Sequence, residues 1–428
     1  MHDLSRRLPA SAFRYQNGSL HCEGVALDAI ADSLGTPFYC YSAGRLRERY
    51  RAFAAALAPL GVGIHFAMKA NGNQAVLKLF ASEGAGTDIV SGGELARSLA
   101  AGIPGDRIIF SGVGKTAAEI DAALASGVHQ LNVESFEELR LVDAIAARRG
   151  VVASVALRIN PDVDAETHAK ITTGKKDNKF GIDVALLDRL DNEVKALQNV
   201  RILGVAAHIG SQIMKATPLI AAYRRLGEIA DDLKRRGLPI ERIDLGGGFG
   251  IPYRGEAELT PASLATAIAQ TVAGRGYHLA VEPGRTLVAD AGVLVAGVTY
   301  VKDAGHMRFL VLDAAMNDLV RPAMYDAHHD IVPVNEPAAD ADLTEYDVVG
   351  PICESSDTFD KHIRLPEMRA GERVVLATAG AYGATMSSTY NARALAPEVL
   401  VDGNRFAVIR RRIDIAEQIG WDQVPEWM

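Results

Sequence analysis

Lys69 closes the apolar run HFAMKAN (65–71), so a side chain that resists burial stands at the end of a strand that reads as buried. Either it snorkels to solvent, or its amine is wanted in a partly dry place, where the ammonium form is disfavoured and the amine becomes a better nucleophile. DLGGGFG (244–250) follows another strand, and its Gly247 and Gly248 would let backbone N–H groups approach an anion closely. The spacing is not a dinucleotide fingerprint, since Ile251 stands where a third glycine belongs. GVGKT (112–116) is not a phosphate loop of the GxxxxGK[ST] type, because Ile109 takes the place of the first glycine. A triple glycine can equally be a tight turn, but Ser211 and Arg285, at neighbouring strand ends, are both phosphate donors. Glu282, just before Pro283-Gly284-Arg285, is either half of a structural Glu–Arg pair or a catalytic carboxylate. His208 by itself reads as a satisfied core histidine. DAHHD (326–330) resembles a metal cluster only superficially, because adjacent histidines cannot face one way on a helix or strand.

A lysine, a phosphate cradle and a carboxylate together suggest pyridoxal phosphate. That cofactor needs an amine for its Schiff base, donors for its phosphate and a carboxylate that keeps the ring nitrogen protonated. Lys69, the Gly247-Gly248 turn with Arg285, and Glu282 would fill the three roles.

The elements that must bring these residues together alternate strand and helix from about residue 41 to 285. Strand candidates are 63–69, 87–91, 107–111, 129–133, 152–159, 202–208, 241–245 and 278–282, mostly short apolar runs of the kind covered on both faces. In 219–236, Leu219, Tyr223, Leu226, Ala230 and Leu233 form one helical stripe that Gly237 would end. Eight strands with crossover helices predict a (β/α)8 TIM barrel over 41–285, with an open doubly wound sheet as the alternative. In a barrel the chemistry collects at the C-terminal strand ends, where Lys69, Asp88, Ser91, Ser111, Asn132–Glu134, Arg158–Asn160, His208–Ser211, 244–250 and 282–285 all fall. After residue 285 the strands lose their helices, which predicts a C-terminal antiparallel β-sandwich or barrel domain over 286–428, joined by residues 1–40. The polar stretch 334–345 reads as a loop.

The 428 residues carry a net charge of −8, which argues against nucleic acid as a partner. No apolar run nears the roughly 20 residues of a membrane span, and the N-terminus lacks a signal peptide's apolar stretch. Three scattered cysteines fit a reducing compartment, so a cytoplasmic protein is expected.

The sequence resembles the pyridoxal-phosphate decarboxylases with an alanine-racemase-like barrel, and within them the diaminopimelate decarboxylase family, over nearly the whole chain. FAMKAN, DIVSGGEL (88–95), TGKKDNKFGI (173–182), HIGSQI (208–213), DLGGGFGI and EPGR (282–285) carry the wider resemblance. MNDLVRPAMYDAHH (316–329), GPICESSD (350–357) and GAYGATMSSTYN (380–391) carry the narrower one. The resemblance implies that Lys69 is the Schiff-base lysine and that His208 stacks on the cofactor ring. Asp88, Ser211, Gly247, Gly248, Gly284 and Arg285 would bind the cofactor, with Glu282 on its ring nitrogen. It further implies Arg285, Arg321 and Tyr325 at the substrate's distal end and Tyr382 on both cofactor and substrate. Cys353 as proton donor and Glu354 on the distal ammonium would enter the site of the partner subunit, so a homodimer with shared active sites is expected. The substrate would be meso-2,6-diaminopimelate, decarboxylated to L-lysine, the last step of lysine biosynthesis. Its inert end carries both charges, which Arg285 and Arg321 with Glu354 can match; a simple diamino acid would want no arginine there. Alternatives are a decarboxylase of ornithine, arginine or carboxynorspermidine, or a non-catalytic cofactor-binding homologue. Outside the resemblance, Arg321 reads as a surface ion pair and Cys353 as a small core hydrophobe. Two departures are Phe66, where relatives usually have tyrosine, and a missing proline in 391–403.

Overall fold

The computed structural model describes Leu8 and residues 11–163 and 179–428; residues 173–178 of the TGKKDNKFGI motif lie outside the described residues. The chain divides into two compact units, one of residues 49–252 and 256–286, the other of residues up to 48, 253–255 and 287–428.

The first unit holds the strands β1 (Val62–Ala67), β2 (Gly86–Ile89), β3 (Ile108–Phe110), β4 (Gln130–Val133), β5 (Ala153–Asn160), β6 (Val200–Ala206), β7 (Arg242–Gly247) and β8 (His278–Glu282). Each pairs in parallel with the next, and β8 pairs back onto β1. The sheet therefore closes, as expected, into an eight-stranded barrel rather than an open doubly wound sheet. Several of the helices that return the chain start at side-chain caps: Asn73, Ser91, Thr116, Ser135 and Thr260 each accept a backbone N–H of the first turn, whereas Ala216–Arg235 starts without one. The stripe Leu219, Tyr223, Leu226, Ala230 and Leu233 lies buried in the helix Ala216–Arg235. Phe66 is fully buried with its ring centroid 4.7 Å from that of Phe80. Lys115 of GVGKT is wholly buried and donates to the carbonyls of Gly112 and Asn132 at 2.6 and 2.8 Å, and pairs with Glu138 at 2.6 Å. It is a structural lysine.

In the second unit, Phe38–Ser42 lies between the strands Gly292–Asp303 and Glu398–Asp402, inside a sheet that also holds Arg308–Leu312, Leu343–Val349, Thr358–Pro366 and Arg405–Arg410. The sheet is mixed rather than purely antiparallel: Arg308–Leu312 runs parallel to Leu343–Val349, and Phe38–Ser42 parallel to Glu398–Asp402. Two adjacent strands alternate between its faces. Phe38, Cys40, Val293 and Val295 enter one apolar cluster, while Tyr39, Tyr41, Leu294 and Ala296 enter the other. Both faces are therefore covered. The loop expected at 334–345 is shorter than the polar composition suggests, because Leu343 already begins a strand. Cys22 and Cys40 are buried free thiols and Cys353 is an exposed one. Among the described residues no helix is long and apolar enough to cross a membrane.

Candidate active site

Strand ends of the barrel carry the polar groups. Lys69 sits in the one-turn 3-10 helix Met68–Ala70 directly after β1, and its Nζ lies 3.0 Å from Asp88 Oδ2 at the end of β2. The turn is held by packing: the Ala67 N–H reaches Pro283 O at 3.1 Å, and a Cβ on Gly284 would lie 3.1 and 3.2 Å from the Cβ atoms of Ala67 and Ala70. Lys69 is thus fixed from β8 as well as from β1.

On β8, Glu282 is buried, and its carboxyl is hydrogen-bonded to that of Asp244 on β7. Burial, then the charges of Asp244 and Asp88, push Glu282 well above the usual carboxylate range, against the opposing pull of Lys69. Asp244 is anchored in turn by the N–H of Gly246 and by Asn132 Nδ2, both at 3.0 Å. Glu282 Oε1 and Asp88 Oδ1 are buried without a hydrogen-bond partner.

His208 follows β6 and is half-buried; Gly247 N–H donates to its Nδ1 at 3.3 Å, which leaves the ring proton on Nε2. Burial, helped by the cations of Lys69 and Arg158, holds the ring well below its ordinary value, so it is neutral. Beside it, Arg285 Nη2 donates to Ser211 Oγ at 3.1 Å. Gly248 has φ +89°, and a Cβ there would fall 1.9 Å from Gly210 O, while one on Gly247 would fall 2.0 Å from Glu282 O. Glycine is required at both positions. A further network supports the rim. Arg158 Nη1 pairs with Glu134 Oε1 at 2.7 Å, and that carboxylate also takes the N–H groups of Gly112 and Gly181.

Pyridoxal phosphate suits this donor set. The glycine turn with Ser211 and Arg285 offers N–H, hydroxyl and guanidinium donors to a phosphate, and the buried, partnerless Glu282 Oε1 could accept a protonated ring nitrogen's N–H. The barrel brings together Lys69, Asp88, His208, Ser211, Gly247, Gly248, Glu282, Gly284 and Arg285. Of the alternatives open at these positions, His208 borders the glycine turn, and Glu282 bonds Asp244 rather than an arginine.

Within the second unit, Arg321 opens the short helix Arg321–Tyr325 and is buried rather than a surface ion-pair partner. Its Nη1 lies 2.8 Å from His329 Nε2, His329 Nδ1 donates to Ala377 O at 2.8 Å, and its guanidinium covers the Tyr253 ring at 4.8 Å. His328 points elsewhere, pairing with Asp330 at 3.2 Å and Asp360 at 3.0 Å, which raises it to about 9. The two histidines of DAHHD thus serve separate networks, and among the described residues no group of three or more His, Cys, Asp or Glu could hold a metal. Tyr325 is half-buried on the same helix. Cys353 and Glu354 are exposed on the loop 350–357, so Cys353 is not the core hydrophobe it resembles out of context. Tyr382 has φ +56°, a strained conformation for a bulky residue, held by Gly380 and Gly383, where a Cβ would meet backbone oxygens at 2.0 and 2.6 Å. Sequence reasoning missed the roles of Asp244 and His329, although both stand inside quoted motifs; burial, not residue type, marks them.

Residues 43–289 match the family described as pyridoxal-dependent decarboxylase, pyridoxal binding domain. Among curated relatives, diaminopimelate decarboxylase of Zymomonas mobilis is 45% identical over 423 residues, covering 97% of this chain and 99% of its own. That of Pseudomonas fluorescens is 48% identical over 409 residues, covering 95% and 97%. Among solved structures, diaminopimelate decarboxylase from M. jannaschii in co-complex with L-lysine superposes with a TM-score of 0.92 at 34% identity, covering 98% of this chain and 99% of its own. The Helicobacter pylori enzyme complexed with L-lysine gives 0.87 at 37%, covering 92% and 99%. With a family match over more than half its length and relatives this similar from end to end, the chain belongs to the diaminopimelate decarboxylase family of pyridoxal-dependent decarboxylases.

Proposed function

We propose that the enzyme decarboxylates meso-2,6-diaminopimelate to L-lysine and carbon dioxide. The observation that carries this reading is the strand-end cluster in which Lys69 faces Asp88 while Glu282 is buried beside Asp244, in a chain that matches diaminopimelate decarboxylases over its length. Lys69 would hold pyridoxal phosphate through its Nζ, Gly247, Gly248, Ser211 and Arg285 would hold the phosphate, and Gly284 would keep the Lys69 turn in place. When bound, the cofactor supplies an electron sink for the bonding pair that departing carbon dioxide leaves behind. Glu282 would become a carboxylate against the ring nitrogen, a cation that relieves the crowding of buried carboxyls. Neutral His208 would cover the ring without adding a competing charge, and Tyr382 would touch cofactor and substrate.

Selection falls to the distal end of the substrate, whose carboxylate would meet Arg285, Arg321 and Tyr325 and whose ammonium would meet Glu354. Cys353 would deliver the proton that replaces carbon dioxide on the α-carbon. Cys353 and Glu354 are assigned to the site of the partner subunit, so the working form would be a homodimer. Three unpaired cysteines and the biosynthetic role support a cytoplasmic location. Turnover of the purified holoenzyme on meso-diaminopimelate, ornithine, arginine and lysine tests the reading: equimolar lysine and carbon dioxide from the first alone is expected, and preference for ornithine would overturn it.

A further inference from the structure

The loop that carries Cys353 and Glu354 owes its shape to one buried carboxylate. Asp357, 3% exposed, accepts the N–H of Met316 on Oδ1 and that of Ile352 on Oδ2, both at 2.7 Å. Its carbonyl takes the Gly350 N–H at 3.1 Å, its own N–H reaches Glu354 O at 3.1 Å, and the Glu354 N–H reaches Ile352 O at 2.8 Å. Gly350 is part of the same device, since a Cβ there would lie 2.4 Å from Asp357 Oδ2. The loop is therefore closed on itself and tied to Met316, with Cys353 and Glu354 exposed between its anchors.

Glu354 is held a second time, through its side chain. Tyr390 Oη donates to Oε1 at 2.5 Å and Ser356 Oγ to Oε2 at 3.3 Å. A carboxylate offers about four acceptor positions, so these two bonds fix its orientation and leave room for an ammonium. An exposed glutamate otherwise samples many rotamers, and ordering them would weaken binding.

We propose that Asp357 and Tyr390 are positioning residues: Asp357 sets the backbone that displays Cys353 and Glu354, and Tyr390 sets the rotamer of Glu354, before substrate arrives. The inference rests on the roles assigned above to Cys353 and Glu354. It separates two effects. Asp357→Asn keeps the volume but turns an NH2 group against one of two N–H donors, so both displayed groups shift. Tyr390→Phe removes only the bond to Glu354.

The test is steady-state kinetics of the holoenzyme on meso-diaminopimelate for Asp357→Asn, Tyr390→Phe, Cys353→Ser, Glu354→Gln and the double variant Asp357→Asn/Cys353→Ser, with the cofactor's visible absorbance as a check on loading. Asp357→Asn is expected to lower kcat by about tenfold or more, and Tyr390→Phe to raise KM by about tenfold with kcat nearly kept. In the double variant the losses should be less than additive. Wild-type kinetics in Asp357→Asn and Tyr390→Phe, with Cys353→Ser and Glu354→Gln impaired, would overturn the positioning role alone. Wild-type kinetics in Cys353→Ser and Glu354→Gln would overturn the underlying assignment. Should Asp357→Asn not fold, an unchanged KM in Tyr390→Phe overturns the proposal by itself.

Discussion

The two units place functional side chains by different means. In the barrel, chemistry sits at strand ends, and parallel pairing of β1 with β8 and β2 brings Lys69, Glu282 and Asp88 to one rim. Two of their carboxylate oxygens, Glu282 Oε1 and Asp88 Oδ1, are buried without a hydrogen-bond partner. In the mixed-sheet unit, by contrast, the corresponding residues occupy a five-residue helix, a closed loop and a strained turn, the first two held by hydrogen bonds such as those of His329 and Asp357. The barrel therefore stores an electrostatic demand that a bound cation would answer, whereas the second unit stores orientation, which suits recognition.

The largest expected effect breaks the barrel side. Lys69→Ala should lose turnover on the order of 10⁴-fold or more, measured on the purified variant supplied with excess cofactor; near-normal activity would contradict the assignment. Next, Glu282→Gln should cost ~10²–10³-fold in kcat while raising the melting temperature of the cofactor-free protein at neutral pH. The sign follows from linkage. The raised Glu282 keeps a proton that the unfolded chain has released, so stability falls as pH rises from the ordinary glutamate value toward the folded one. An uncharged amide escapes that loss, and a lowered melting temperature would refute the crowding.

On the second unit the effects are smaller and selective. Arg321→Ala should reduce kcat/KM on meso-diaminopimelate by roughly 10–100-fold and leave the cofactor's absorbance intact; loss of cofactor instead would move Arg321 out of substrate recognition. The smallest effect concerns His328. Its partners raise it from 6.5 to about 9, so the stability it contributes is full below the unfolded value and is lost as pH rises through about 9. His328→Gln should therefore flatten the alkaline part of the melting-temperature profile, and an unchanged profile would remove His328 from the stability balance.

The same contrast explains what could be read in the sequence. Strand ends recur with the βα repeat, so Lys69, Glu282 and the glycine turn were visible as polar residues closing apolar runs. Apolar composition also placed all eight strands to within a few residues. Arg321, Cys353, Glu354 and Tyr382 follow no such period, and only the resemblance singled them out; by residue type alone, Arg321 and Cys353 read as a surface charge and a core thiol. Asp244, His329 and Asp357 were not separable from their neighbours, because hydrogen bonding to groups distant in sequence gives them their role. The parallel ladders of the second sheet were hidden likewise, since alternation is the same for either strand direction.

The central claim is that Lys69 binds the cofactor by its amine and yields it to one substrate. Borohydride reduction of the holoenzyme followed by peptide mass mapping tests it directly. The expected result is the reduced cofactor's mass on the peptide containing Lys69, strongly diminished when meso-diaminopimelate is present during reduction and undiminished with ornithine. The cofactor's mass on another lysine, or labelling of Lys69 that ornithine suppresses and meso-diaminopimelate does not, would contradict it.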